Sequence, residues 1–276
     1  MTVCEVKLGG SILPVKEFKM SMMCENPSIV MVAKRGSGKS WLCRSILQHF
    51  RDIPVGIVIA PTERLAVPPF YADFIPDSYI HYEYKSELIE KILARQIEMN
   101  KKNDKKREEN KHLDERLFIL MDDCLGDVNT WKRDPPIKEL LFNGRHYKIM
   151  YLLTMQFPLG IGPELRTNFD YIFLLADSNY NNLKKLYIHY AGMFPTMDSF
   201  LTVHKELTKN YGAMVLVCRD AGPLITDQIF WYKADNTDNG YIGCKQYIDH
   251  HKHNYDDQWK YKKTQIIDIM NMKKRK

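Results

Sequence analysis

Two stretches of this chain carry side chains suited to a nucleoside triphosphate. From Ala33 to Ser40 it reads AKRGSGKS, which fits the phosphate-loop spacing G-x-x-x-x-G-K-[ST] at Gly38, Lys39 and Ser40 and departs from it at Ala33. In such a loop consecutive main-chain N–H groups converge on phosphate oxygens, the lysine reaches the β and γ phosphates, and the serine hydroxyl binds Mg2+. Alanine suffices at the opening position if it keeps a negative φ, and Gly36 adds freedom where the backbone must approach a ligand. The expected binding set is Ala33, Lys34, Arg35, Gly36, Ser37, Gly38, Lys39, Ser40 and Trp41, with ATP and Mg2+ as ligands.

The second stretch is FILMDD, ending at Asp122 and Asp123. A carboxylate at the end of a buried strand can hold Mg2+ together with Ser40, and a second can orient and activate the attacking water. Asp122 takes the first role and Asp123 the second. Alone, two acids at a strand end would read as solvated surface; the loop upstream gives them chemistry to do. A third stretch, GRHYKIMYLLTMQF, places Gln156 at a strand tip, where it could sense the γ phosphate or the water. Arg145 precedes that strand and could reach a neighbouring subunit's nucleotide as an arginine finger, neutralising charge on the transferred phosphoryl group. The competing reading of both is an exposed glutamine and a surface ion pair.

The elements around these residues follow from hydrophobic pattern. Ile29 to Ala33 is a short apolar run entering the loop, and Trp41, Leu42, Ile46 and Phe50 recur at helical spacing beyond it, so the order is strand, phosphate loop, helix. Further buried strands are expected at Val55 to Ala60, Leu117 to Met121, Ile149 to Thr154, Tyr171 to Leu175 and Ala213 to Cys218. Helices are expected around Leu88 to Ile97, Asn181 to Ala191 and Met197 to Leu207. Continuous apolar strands alternating with helices imply a mostly parallel sheet covered on both faces. The predicted fold class is an α/β, RecA-like P-loop NTPase over residues 1–232, followed by a polar, basic, peripheral extension over 233–276. The mixed-charge segment 98–116 reads as a solvated helix, with a mobile excursion as the alternative.

Composition narrows the partners. The chain has 276 residues, 45 % hydrophobic and 27 % charged, values that exclude wholesale disorder. Its formal charge of +6 suits a polyanionic partner. The stretch from Asp257 to Lys276 holds seven Lys or Arg against two Asp, a patch able to grip phosphates or serve nuclear import. Six widely spaced cysteines form no C-x-x-C pair, so neither a zinc ribbon nor a dithiol redox centre is written locally. His250, His251 and His253 lack further ligands at metal spacing. The N-terminus shows no secretory signal and no run approaches the ~20 apolar residues that span a bilayer, which predicts a soluble intracellular protein without a transmembrane segment.

Taken together, AKRGSGKS, FILMDD, GRHYKIMYLLTMQ and LRTNFDYIFLL resemble the DNA-packaging ATPases of nucleocytoplasmic large DNA viruses, a branch of the FtsK/HerA superfamily. The resemblance spans roughly Pro27 to Leu175, and more weakly to about Trp231. It implies a homo-oligomeric ring that drives double-stranded DNA into a capsid, with capsid or membrane-associated virion proteins as docking partners, in the host cytoplasm at the assembly site or in the virion. It also implies phosphate and metal roles for Lys39 and Ser40, the acidic pair for Asp122 and Asp123, the sensor for Gln156 and the trans finger for Arg145. Arg166, in LRTNFDY, is its rival as finger. Many members carry Asp-Glu where this chain has Asp122-Asp123, which leaves the catalytic base less firmly assigned. Two other classes stay open: a nucleoside or nucleotide kinase, although no basic lid run lies between the fourth and fifth strands, and a nucleotide-binding DNA scaffold with little turnover.

Overall fold

The computed structural model describes residues 2–124, 131–237 and 240–258; the basic tail after residue 258, with its terminal KKRK, lies outside them. Among the described residues, ten strands form one sheet. Its centre is made of β3 (Ser28–Val32), β4 (Val55–Ile59), β6 (Leu117–Met121), β7 (Ile149–Met155) and β8 (Tyr171–Leu175). These are the continuous apolar runs of the sequence, buried almost throughout, as a parallel sheet covered on both faces requires. With the two-residue β5 (Ile80–His81) they lie in the order β5-β4-β6-β7-β3-β8, all parallel.

Beyond β8 the sheet changes character. β9 (Gly212–Val217) pairs antiparallel with β8 and with β10 (Ile229–Lys233), β10 pairs parallel with β2 (Ser11–Glu17), and β2 forms an antiparallel hairpin with β1 (Val3–Leu8). The sequence reading gave neither the hairpin nor β5 nor β10. The hairpin is half exposed, and Val6 and Val15 are its buried residues; short runs that bury one face carry a weaker signal than the central ones.

Helices cover both faces. On one, α1 (Lys39–His49) buries Leu42, Cys43, Ile46 and Leu47 against Phe18, Met31 and Phe173. The other face carries α2 (Ser86–Glu108), α3 (Pro135–Asn143), α5 (Tyr180–Tyr190) and α6 (Met197–Leu207), reached past the short α4 (Pro163–Arg166). α2 continues well into the mixed-charge segment because two of its polar residues are anchored: Gln96 Nε2 donates to the carbonyls of Glu115 and Tyr147, each at 2.7 Å, and Asn103 Oδ1 accepts the Leu113 N–H at 3.0 Å.

The described part of the polar extension is packed rather than peripheral. Its helix, Lys245–Asn254, docks through Tyr247, which is buried, stacks on Tyr79 at 3.9 Å and donates its hydroxyl to the Gly56 carbonyl at 2.9 Å. An aromatic residue with a polar tip anchors this hydrophilic helix, and further contacts hold it: Tyr79 donates its hydroxyl to the Tyr247 carbonyl at 3.0 Å, Ser78 Oγ lies 2.8 Å from His251 Nδ1, and the Cys244 N–H donates to the Pro54 carbonyl at 2.8 Å.

Parallel strands fix where chemistry can occur. β3 lies between β7 and β8, while the chain leaving it crosses to β4 on the far side of β7 and β6. That reversal opens a crevice at the carboxyl ends of the strands, directly above the phosphate loop.

Candidate active site

Ala33 continues the ladder of β3: it is buried, keeps a negative φ and donates its N–H to the Met155 carbonyl at 2.8 Å. Its methyl group is accommodated because the turn begins later. Gly36 at φ 79° and Gly38 at φ 92° adopt the left-handed conformation that favours glycine. The curl between them is closed by Ser37, whose N–H and hydroxyl both donate to the Lys34 carbonyl, at 3.2 and 2.6 Å. Gly38 then occupies the cap position of α1 with no side-chain cap, and the first turn of α1 holds no acid. The unpaired amides of that turn, at the positive end of the helix dipole, favour an anion.

Asp122 sits at the end of β6 beside this turn and is buried. Its Oδ1 lies 2.9 Å from Lys39 Nζ and accepts the Thr154 hydroxyl at 2.5 Å; its Oδ2 accepts the Tyr71 hydroxyl at 2.8 Å. Burial alone would lower the Lys39 pKa, but the charge and hydrogen bond of Asp122 outweigh it and raise it, so the ammonium stays charged at neutral pH. Burial and the same carboxylate push the Cys43 thiol and the Tyr71 phenol up. Both remain neutral beneath the loop.

Asp123 is turned differently. Its φ of 53° is uncommon for a residue with a side chain, and it is held by its N–H on Thr154 Oγ1 at 3.1 Å and by Gln156 Nε2, which donates to its Oδ2 at 2.5 Å. Thr154 therefore ties the two aspartates together from β7, and Gln156, two residues on and on the same face of the strand, steadies the second.

A cavity of about 730 Å3 is lined by Lys34, Arg35, Gly36, Gly38, Lys39, Ser40 and Trp41 together with Asp122, Asp123 and Gln156. Thus most of the sequence-selected residues converge. Ala33 lies beneath the cavity in the sheet and Ser37 closes the loop behind it. The two arginines stand apart. Arg145 sits before β7, at the strand end opposite Gln156, with Nη1 4.0 Å from Asp170 Oδ1. The seven residues of β7, ~20 Å of extended chain, separate it from the phosphate-loop end of the sheet. Arg166 ends α4, with its guanidinium 5.6 Å from the Tyr190 ring centroid.

Several lining or supporting residues escaped the sequence reading. Tyr71 comes from the proline- and tyrosine-rich loop after β4, where its main-chain N–H donates to the buried Glu63 at 2.6 Å. Thr62, Phe70, Tyr211 and the segment Lys233 to Asn236 complete the cavity wall. Tyr211 presses on the loop itself: a side chain at Gly38 would meet its ring 3.4 Å away. With Trp41 and Phe70 it gives the cavity three aromatic rings, an apolar platform suited to a nucleobase. Thr154, which supports both aspartates, also went unassigned, although a hydroxyl inside an apolar strand is a signal the sequence carries.

Carboxylate and hydroxyl oxygens are the donors a small hard cation prefers, and the acid-free helix turn beside them suits phosphate. The residues present therefore fit Mg2+ and a nucleoside triphosphate.

The fold is that of the P-loop ATPases. Residues 15–211 match the family model described as Poxvirus A32 protein, and the chain belongs to that family. An uncharacterised protein of Acanthamoeba polyphaga mimivirus is 44 % identical over 243 residues, covering 88 % of this chain and 84 % of its own length. Among solved structures, the DNA-packaging ATPase of Sulfolobus turreted icosahedral virus aligns with a TM-score of 0.54 and 17 % identity over 78 % of this chain and all of its own. The genome-packaging NTPase of Sulfolobus turreted icosahedral virus 2, in complex with AMPPCP, aligns with a TM-score of 0.53 and 16 % identity, covering 77 % of this chain and 100 % of that one.

Tyr71→Phe tests the support of Asp122. Loss of the hydroxyl leaves Oδ2 of a buried carboxylate without that donor, which costs about 1–3 kcal/mol, and frees the carboxylate to rotate. The expected result is a Mg2+ requirement for turnover raised about 10- to 100-fold with a lower melting temperature. An unchanged Mg2+ dependence would show that Tyr71 only fills space.

Proposed function

We propose that this protein is an ATP-driven motor that moves double-stranded viral DNA into the capsid during virion assembly, hydrolysing ATP at the interfaces of a homo-oligomeric ring. The observation that carries the reading is the convergence of Lys39, Ser40, Asp122, Asp123 and Gln156 on one cavity at the carboxyl edge of the sheet. Family membership and the fold of packaging ATPases support the biological setting.

The amides from Gly36 to Ser40 would receive the phosphates, and Lys39 would leave Asp122 for the β and γ oxygens. Ser40 and Asp122 would hold Mg2+, which when bound supplies charge neutralisation at those oxygens. Asp123, oriented by Thr154 and Gln156, accepts the proton of the attacking water. Its other carboxylate oxygen has no hydrogen bond among the described residues. Gln156, fixed to that carboxylate, is placed to register the γ phosphate and its loss.

Arg145 is assigned to the neighbouring subunit's nucleotide, and Arg166 is the alternative. The distance of Arg145 from its own phosphate loop leaves it no cis role. Double-stranded DNA is the translocated partner, and a capsid or virion protein would dock the ring. Virus assembly sites in the cytoplasm, or the virion itself, are the expected location. Among the described residues no helix is long and apolar enough to cross a membrane.

Subunit mixing tests the shared site. Arg145→Ala and Lys39→Ala subunits, each inactive alone, should recover a fraction of wild-type ATP turnover when mixed, because a hybrid interface joins an intact loop to an intact finger. No recovery at any ratio, with assembly intact on a sizing column, would remove Arg145 from the trans role.

A further inference from the structure

A second cavity, of about 570 Å3, is lined by Lys132, Arg133, Lys138 and Arg166, with Glu164 the single carboxylate among the described residues of its wall. Four cations against one acid leave this concavity strongly positive. Two described acids near in sequence are engaged elsewhere: Asp134 accepts the Tyr84 hydroxyl, and Glu139 accepts from Asn143 at 2.9 Å and Tyr147 at 2.8 Å. Arg166 is positioned by stacking on Tyr190, itself fixed by a 2.6 Å hydrogen bond from its hydroxyl to the Pro158 carbonyl, and its Nε has no acceptor among the described residues. None of the four cations forms an ion pair among the described residues. The His189 imidazole in the same wall is held below its usual range by burial and then by Arg166 and Lys185.

Like charges gathered in a hollow repel one another, and an anion in the hollow relieves them. The cations come from the approach to α3 (Lys132, Arg133), from α3 itself (Lys138) and from the end of α4 (Arg166), and cationic side chains of this kind are what contact a phosphate backbone. The segment from Phe157 to Arg166 joins the cavity wall to Gln156 in the chain.

We propose that this cavity grips the phosphodiester backbone of the translocated DNA, an inference that rests on the motor reading above. The other source of phosphate is the triphosphate of a second copy of the chain, the occupant that a finger role for Arg166 would require.

The test uses the full-length protein, a fluorescein-labelled DNA duplex and anisotropy over a series of KCl concentrations, with ATP turnover measured in the absence of DNA. For Lys132→Gln/Lys138→Gln, the slope of log affinity against log salt should become shallower by about 2, since each phosphate contact contributes ~0.9. Its DNA-independent turnover should stay unchanged. The control Lys132→Arg/Lys138→Arg should keep the wild-type slope, which separates lost charge from misfolding. Equal slopes for wild type and the Gln variant would overturn the assignment while leaving the motor reading intact. Equal slopes with lost DNA-independent turnover would overturn it in favour of a second copy's triphosphate. Wild type that fails to bind duplex at low salt would sink both readings.

Discussion

Asp123→Asn should lower phosphate release from ATP by about 100- to 10,000-fold, the range expected for loss of a general base, while nucleotide affinity stays near that of the wild type. The substitution keeps the shape of the side chain. The backbone conformation at φ 53° is one that asparagine also tolerates, and the N–H on Thr154 is unaffected. What disappears is the proton acceptor: an amide nitrogen would face either the water or the Gln156 amide that now donates to Oδ2. Single-turnover kinetics separate the terms, because the effect should fall on the chemical step and not on the concentration of ATP that half-saturates it. A variant as fast as wild type would transfer the base role elsewhere and leave Asp123 a structural link between Thr154 and Gln156. This measurement also answers the departure from Asp-Glu, since a short carboxylate that still acts as base must lose activity when neutralised.

Lys39→Ala should act on both terms. The ammonium lines the cavity, and Asp122 keeps it protonated by charge and hydrogen bond despite burial. Removing it takes away a cation from the β and γ oxygens in ground state and transition state alike. Affinity for ATP should weaken and turnover should fall on the order of 100- to 1,000-fold or more. Tyr71 and Thr154 continue to donate to Asp122 in the variant, and its melting curve shows whether they suffice to keep it folded without the ion pair. Wild-type affinity and rate in a folded variant would mean that the phosphates are bound elsewhere.

Residues 28–50 and the five central strands were legible because their physics is local. Strands buried on both faces read as unbroken apolar runs, and the glycines stand where φ is positive. Asp122, Asp123 and Gln156 were legible as polar residues at the tips of such runs. The hairpin of β1 and β2 was less so, although Gly9 and Gly10 mark its turn and Cys4, Val6 and Leu8 alternate with polar residues. α2 outran its apolar pattern because Gln96 and Asn103 are buried through hydrogen bonds that hydrophobicity does not register. Tyr71 was invisible for a stronger reason: its partner is 51 residues away and nothing in its own loop specifies that contact. The same holds for the Lys233 to Asn236 wall and for Tyr247, whose roles come from a sheet that brings distant segments to one edge. Arg145 lies between these cases. Its place before a strand was readable, but a role in a neighbouring subunit has no geometry within one chain.

The central claim is that the turn from Gly36 to Ser40 and the carboxylate of Asp122 hold one Mg2+-bound triphosphate. A crystal structure of the full-length protein with ATPγS and Mg2+ measures this directly. It should place the phosphates against the main-chain N–H groups of that turn, move Lys39 Nζ from Asp122 onto the β and γ oxygens, and put the metal between Ser40 Oγ and Asp122. Nucleotide bound away from those amides, or a metal held without either side chain, would contradict the account.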